Sequence, residues 1–215
     1  MKGLVIFDLD GTLVEDKSSW RLIYERYSLE VASDKNFSEF EAGKVTYKEL
    51  VRKTLVDLKT AGAMSKDIGE LFSKPTVVPY ALEIIQELHQ MGFKVAIISA
   101  GVCNLVHQVA NILGVDLYFC NEIVFDQDGR ISAINVNVDP TKKGEIVERL
   151  QAEFNLIPER TVAVGDHQMD ASMFSKAGHY MVVGNGYKPG KNGCSISNLG
   201  EVLKWIKAWY PNGLE

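Results

Sequence analysis

Apolar positions along the chain fall into two textures. Short unbroken runs, "GLVIF" at 3–7, "KVAIIS" at 94–99, "TVAVG" at 161–165 and "HYMVV" at 179–183, have the length and continuity of strands buried on both faces. Between them, "ALEIIQELHQMG" from 81, "VCNLVHQVANILG" from 102 and "KGEIVERLQAEF" from 143 carry apolar residues at three- and four-residue spacing, and the first two run into a glycine. These are helix patterns with helix stops. The alternation predicts an α/β fold, a doubly wound parallel sheet. From 17 to about 75 the texture changes: "SSWRLIYERYSLEV", "TYKELVRKTLVDLK" and "SKDIGELFS" read as successive helices with no strand between them. The expected organisation is an α/β core over 1–16 and 76–215, with a helical cap over 17–75 inserted after the first strand. Because ligands bind beyond the carboxyl ends of strands in such sheets, a cap rooted there would cover the binding crevice. "EIVFDQDGRISAINVNV", within 117–138, reads as a hairpin turning at Asp128-Gly129 on the flank of the sheet.

At 215 residues and 46% hydrophobic content, the chain can fill one core plus a small accessory domain. A net charge of −5 with both signs interspersed gives no basic stripe, which argues against nucleic acid and anionic membrane as partners. Cys103, Cys120 and Cys194 are odd in number and lack C-x-x-C spacing, so the expectation is three buried or incidental thiols in a reducing compartment. With no signal peptide or membrane span visible, the expected location is cytoplasmic.

Polar residues gather at the predicted strand ends. "VIFDLDGT" ends the first strand in Asp8 and Asp10; Ser99 closes the second; Asp166 follows "TVAVG", with Asp170 a turn later. A carboxylate at Asp8 can attack phosphorus and split one displacement into two. Asp10, on the tightening turn, can protonate the leaving oxygen and later take a proton from water. An anionic nucleophile meets an anionic phosphate only with a hard cation between them, and Asp8 and Asp166 could supply oxygen ligands for one. Ser99, Ala100 and Gly101 bring a hydroxyl and backbone N–H groups to the start of a helix, where an anion is favoured. Lys142 or Lys143, at the start of another helix, would neutralise the carboxylates and grip the phosphate. Taken singly, each element is an ordinary turn or cap; their joint placement at strand ends is not.

These motifs resemble those of the haloacid dehalogenase superfamily of phosphohydrolases. Its D-x-D-x-T is similar to Asp8-Leu9-Asp10-Gly11-Thr12, its second-strand Ser/Thr to Ser99, its lysine to the "KGEI" at 143–146, and its G-D-x-x-x-D to Gly165-Asp166 through Asp170. The resemblance implies a phosphorylated nucleophile at Asp8, an acid/base at Asp10, and Mg2+ held by the Asp8 carboxylate, the Asp10 backbone carbonyl and Asp166. It selects Lys143 over Lys142 and makes Asp170 a carboxylate that positions the metal site from behind.

Within the superfamily, "AGKVTYKEL", "KKGEIVERL" and "TVAVGDHQMDASMFSKAG" are most similar to phosphoserine phosphatases. That family's ammonium-binding glutamate is matched here by Lys17, and its carboxylate-binding cap arginine by Thr54, with Arg52 nearby. Its S-G-G is Ser99-Ala100-Gly101, and the asparagine before its last aspartate is Met169. The expected activity is Mg2+-dependent hydrolysis of a small phosphomonoester with altered substrate recognition, Lys17 favouring an anionic or non-amine substrate. A phosphomutase is the alternative within the same chemistry. A non-enzymatic phospho-acceptor or binding protein is the alternative outside it, disfavoured by Asp10. No nucleic acid or membrane partner is expected, and a homodimer is an admissible assembly. His89, His107 and His179 read as surface or helix residues, with His167 alone near the site. Trp20, Tyr24 and Tyr27 read as cap core, with Trp20 or Phe40 as candidate pocket walls. Trp205 and Trp209 suggest a helix packed on the sheet or a partner surface.

Overall fold

A computed structural model describes residues 1–16 and 18–210. In chain order the elements are β1 (Gly3–Phe7), α1 (Ser19–Arg26), α2 (Glu30–Glu41), α3 (Tyr47–Thr60), α4 (Ser65–Leu71), α5 (Ala81–Gln90) and β2 (Phe93–Val102). They continue with α6 (Cys103–Leu113), β3 (Leu117–Phe125), β4 (Ile131–Asn135), α7 (Lys143–Glu153), β5 (Thr161–Gly165), α8 (Ala171–Phe174), β6 (His179–Val183), β7 (Gly193–Ile196) and α9 (Val202–Trp209). The strands form a sheet in the order β4-β3-β2-β1-β5-β6-β7, parallel except for the β3–β4 pair. The expected α/β sheet is present.

The unbroken apolar runs are explained by burial on both faces. Along β1, Val5 and Phe7 pack in one layer with Ile85 and Leu88 of α5, Val106 and Val109 of α6 and Val202 and Ile206 of α9. Leu4 and Ile6 pack in the other with Ile146, Val147 and Leu150 of α7 and with Met173 and Phe174 of α8. All four β1 side chains are fully buried. The glycine stops also hold: Gly92 (φ 88°) follows α5 and Gly114 (φ 69°) caps α6 in the left-handed conformation.

The chain order reverses beside β1, with β2 on one side and β5 on the other, so the carboxyl ends of β1 and β5 flank a topological switch point. Phe7 is in register with Val164, which brings the residues just beyond them side by side. Helices α1–α4 follow β1 without an intervening strand, as their texture predicts, but the segment read as a single helix from 18 is two. It breaks at Tyr27–Leu29, where Ser28 has φ 55°, and resumes as α2. The hairpin is present as β3–β4, with Gly129 (φ 78°) in its turn. Its first strand also joins the main sheet beside β2.

The expectation of three unpaired thiols is corrected. Cys103, the first residue of α6, and Cys120 on the neighbouring β3 are joined in a disulfide with Cα atoms 5.1 Å apart, and Cys194 is free. The residues are 17 apart in sequence and become neighbours only because β3 returns alongside β2. The thiol argument for a reducing compartment therefore falls away. Among the described residues no helix is long and apolar enough to cross a membrane.

Candidate active site

Asp8 and Asp10 stand where β1 stops. Gly11 (φ 76°) turns the chain, and Thr12 is buried with a hydroxyl that has no hydrogen-bond partner. Across the switch point Asp166 follows β5, and Asp170 lies in the turn leading to α8. Carboxylate oxygens of Asp8, Asp166 and Asp170 lie within 4.8 Å of one another, all three side chains buried. Lys143, at the first position of α7 and 3% exposed, donates from Nζ to Asp8 Oδ1 and to Asp170 Oδ1 at 2.7 Å each. Lys142 is exposed, so the choice between the two lysines falls to Lys143. Asp170 Oδ2 accepts the backbone N–H groups of Asp166 and His167, which fixes the loop carrying Asp166. Gly165 is required there: a Cβ would lie 2.4 Å from Asp170 Oδ2.

The second strand differs from expectation in one detail. Ser99 does not end β2, which runs on to Val102 through a break in its register with β3 between Ile98 and Val102. The irregularity turns Ser99 Oγ toward the backbone, where it accepts the Gly101 N–H at 2.9 Å. The Val102 N–H donates to Ser19 Oγ at 3.2 Å, and that hydroxyl donates to Asp10 Oδ2 at 2.8 Å. These two amides are therefore bonded to hydroxyls at the mouth of α6. A Cβ on Gly101 would meet Ser19 Oγ at 2.3 Å and Asp10 Oδ2 at 2.7 Å, so the backbone approaches as closely as glycine allows.

Electrostatics separate the two β1 carboxylates. Asp8 is raised to about 8, first by burial; Lys143 opposes this, while the nearby Asp170 charge adds to it. One ammonium serves two carboxylates, so its pull on Asp8 falls short of the desolvation penalty. Lys143 is raised in turn: burial works against its charge, and Asp170 and Asp8 outweigh burial. Asp10 is raised to about 6, mainly by burial, against hydrogen bonds from Ser19. Its Oδ1 is buried without a hydrogen-bond partner. Asp8, Asp166 and Asp170 bring an all-oxygen donor set together, which fits a hard divalent cation. These three are the residues that could hold such an ion.

One cavity of about 470 Å³ is lined by Asp8, Asp10, Ser99, Ala100, Gly101, Lys143, Asp166 and Asp170, so these eight candidates reach the same space. His167, Met169, Trp20, Tyr24, Phe40 and Thr54 line it as well. Arg52 does not; it is exposed and lines a separate cavity along α3 with Lys48 and Leu55. Lys17 lies outside the described residues. Sequence reasoning missed Ser19, Tyr47 and Asn121. Fully buried Asn121 donates to the Tyr47 hydroxyl and to the carbonyls of Ala100 and Val138, and it accepts the N–H groups of Asn137 and Val138. The one signal for it was an amide inside the apolar strand "LYFCNEIVF".

The switch-point crevice is thus ringed by carboxylates, a lysine and a serine. The haloacid dehalogenase-like hydrolase family model matches residues 3–178, and the chain belongs to that family. The chain is 32% identical to phosphoserine phosphatase of Methanocaldococcus jannaschii over 82% of its own length and 83% of that protein. It is 28% identical to phosphoserine phosphatase of Archaeoglobus fulgidus over 82% of its length, and there spans about half (51%) of the relative. A solved structure of a phospho-aspartyl intermediate analogue of phosphoserine phosphatase superposes with a TM-score of 0.81 at 30% identity, covering 95% of this chain and 98% of that one.

Proposed function

We propose that the protein is a Mg2+-dependent phosphatase that hydrolyses a small phosphomonoester through an aspartyl-phosphate on Asp8, with residues 17–75 acting as a cap over an α/β core. The observation that carries this reading is the contact of Lys143 with both Asp8 and Asp170 beside the unpartnered Asp10 Oδ1, in the cavity that Asp166 also lines. Lys143 grips Asp8 Oδ1 and leaves Oδ2 to face the phosphorus. That oxygen forms the new bond to phosphorus while the ester P–O bond breaks, and the leaving oxygen takes the proton of Asp10. A water then gives a proton to Asp10 and attacks the phosphorus, which releases the Asp8 carboxylate and inorganic phosphate. Burial raises Asp10 in the metal-free chain, which favours the protonated form that an acid needs. Bound Mg2+ supplies charge neutralisation between the carboxylate and the phosphoryl oxygens. Ser99 and the Lys143 ammonium orient the phosphoryl group.

Substrate recognition differs from that of the phosphoserine phosphatases the chain resembles. Thr54, in place of a cap arginine, is buried and donates to the Leu50 carbonyl, so it offers no cation to a substrate carboxylate. Lys17, in place of a glutamate, disfavours an ammonium on the substrate. The experiment is Asp8→Asn, which keeps the shape and removes the nucleophile. Mg2+-dependent release of phosphate is expected to fall by about 10³-fold or more. Acid quenching of the unaltered protein with labelled substrate should trap phosphate on the chain. Full turnover in the variant, or no trapped label, overturns the reading.

A further inference from the structure

We infer that the leaving group this site accepts is an alcohol with an apolar, ring-bearing body, and not an amino acid. The inference rests on the phosphatase reading and refines it. Beyond the carboxylate cluster the cavity is walled by Trp20, Phe37, Phe40, Tyr47, Val51 and Met169. Three of the rings make one continuous wall, Phe37 to Phe40 at 6.4 Å and Phe40 to Tyr47 at 5.7 Å between centroids. Phe37 is 41% exposed although it borders the cavity, an apolar ring at the surface with one side toward the site. Such a wall fits an aromatic or hydrocarbon body.

An amino-acid leaving group needs a partner for its ammonium and another for its carboxylate, because a desolvated charge without one is costly. Away from the carboxylate cluster, the charged side chains among the described residues lining the cavity are Arg21 and Asp34. They are ion-paired with each other, and Arg21 also holds Glu25. Of the polar lining, Tyr24 and Asn36 both donate to Asp57, at 3.0 and 2.8 Å, and Thr54 donates to Leu50. Aromatic walls also receive organic cations. Here Asp34 already carries a cation, so a neutral ring is the better match.

The test compares primary alkyl phosphates of similar intrinsic reactivity with Mg2+ present: 2-phenylethyl phosphate, O-phospho-L-serine, 3-phosphoglycerate and phosphocholine. The expected kcat/KM for 2-phenylethyl phosphate exceeds each of the others by about tenfold or more. Equal or better turnover of any of the three overturns the inference and leaves the phosphatase reading standing. Calorimetric binding of 3-phenylpropylphosphonate against 2-amino-4-phosphonobutyrate needs no turnover. If no ester is hydrolysed but the phenyl compound binds about tenfold more tightly, the phosphatase reading fails and the chamber assignment holds; equal or weaker binding overturns the assignment. Phe37→Ala, at a position that opens no core, should lower kcat/KM for the phenyl ester by about tenfold and for phosphoserine by no more than about twofold. Equal losses on both esters contradict it.

Discussion

Asp8 and Asp10 are two residues apart at the end of one strand, yet their surroundings give them different proton affinities, about 8 and about 6. For Asp8 this has a consequence for stability. The unfolded carboxyl titrates near 4, so between about pH 4 and pH 8 the folded metal-free chain keeps a proton that the unfolded chain has lost. Folding then takes up a proton, and the stability of the metal-free protein should fall as pH rises through that window. Thermal melts at pH 5 and pH 8 in chelator check this; a higher melting temperature at pH 8 contradicts it. Lys143 carries the opposite risk, since removing it leaves Asp8 and Asp170 buried without their cation. Lys143→Ala should cost about 3 kcal/mol in denaturant unfolding and eliminate turnover. Much of this was legible in the sequence, because Asp8 and Asp166 each follow an apolar run that forms a strand, with Asp10 and Asp170 a few residues on. Spacing alone left the lysine open between the adjacent Lys142 and Lys143; the motif resemblance chose Lys143, and the start of α7 buries that one and exposes the other. Ser19 left no trace, since a serine near a helix start looks like a cap. Its role toward Asp10 depends on α1 crossing to Val102.

Helices and strands meet at one acceptor, the Ala100 carbonyl. Trp20 of α1 donates to it at 2.9 Å, Tyr47 of α3 at 3.3 Å and Asn121 of β3 at 2.8 Å. Two helices of the 17–75 segment are thereby fastened to the end of β2 that carries Ser99 and Gly101. Asn121→Leu removes a buried amide and leaves the Tyr47 hydroxyl and several backbone groups without it, so a loss of about 3 kcal/mol or more is expected. Tyr47→Phe, which keeps the ring, should cost about 1 kcal/mol. A stability change in Asn121→Leu no larger than in Tyr47→Phe contradicts the shared-anchor account. The Cys103–Cys120 bridge lies beside the same anchor, since Cys120 precedes Asn121. At this scale legibility follows burial. Helices α5 and α6, each with a buried apolar stripe, were clear from spacing. Helix α2 was not, because among its twelve residues only Asn36 is buried, so no stripe marks it. The disulfide was hidden for a different reason: it joins positions that only the β2–β3 pairing makes neighbours.

In the whole molecule, the sheet order puts the ends of β1 and β5 next to each other and leaves α7 to deliver Lys143 from one face. The cluster is therefore assembled only when the fold is, and the unfolded chain has no comparable site. A ligand that binds the folded state alone stabilises it by an amount set by its concentration over its dissociation constant. At a hundredfold excess over Kd, Mg2+ should add about 2.7 kcal/mol, which for a chain of this size raises the melting temperature by roughly 5–10 °C. The same addition to Asp166→Asn should give a much smaller shift, since one carboxylate of the cluster is gone while its shape is kept. Na+ at matched ionic strength should give none in either protein, because screening acts on exposed charges and these are buried. Equal Mg2+ shifts in Asp166→Asn and the unaltered chain would mean that the ion binds elsewhere. The carboxylate cluster would then be a structural network, held together by Lys143 without a metal.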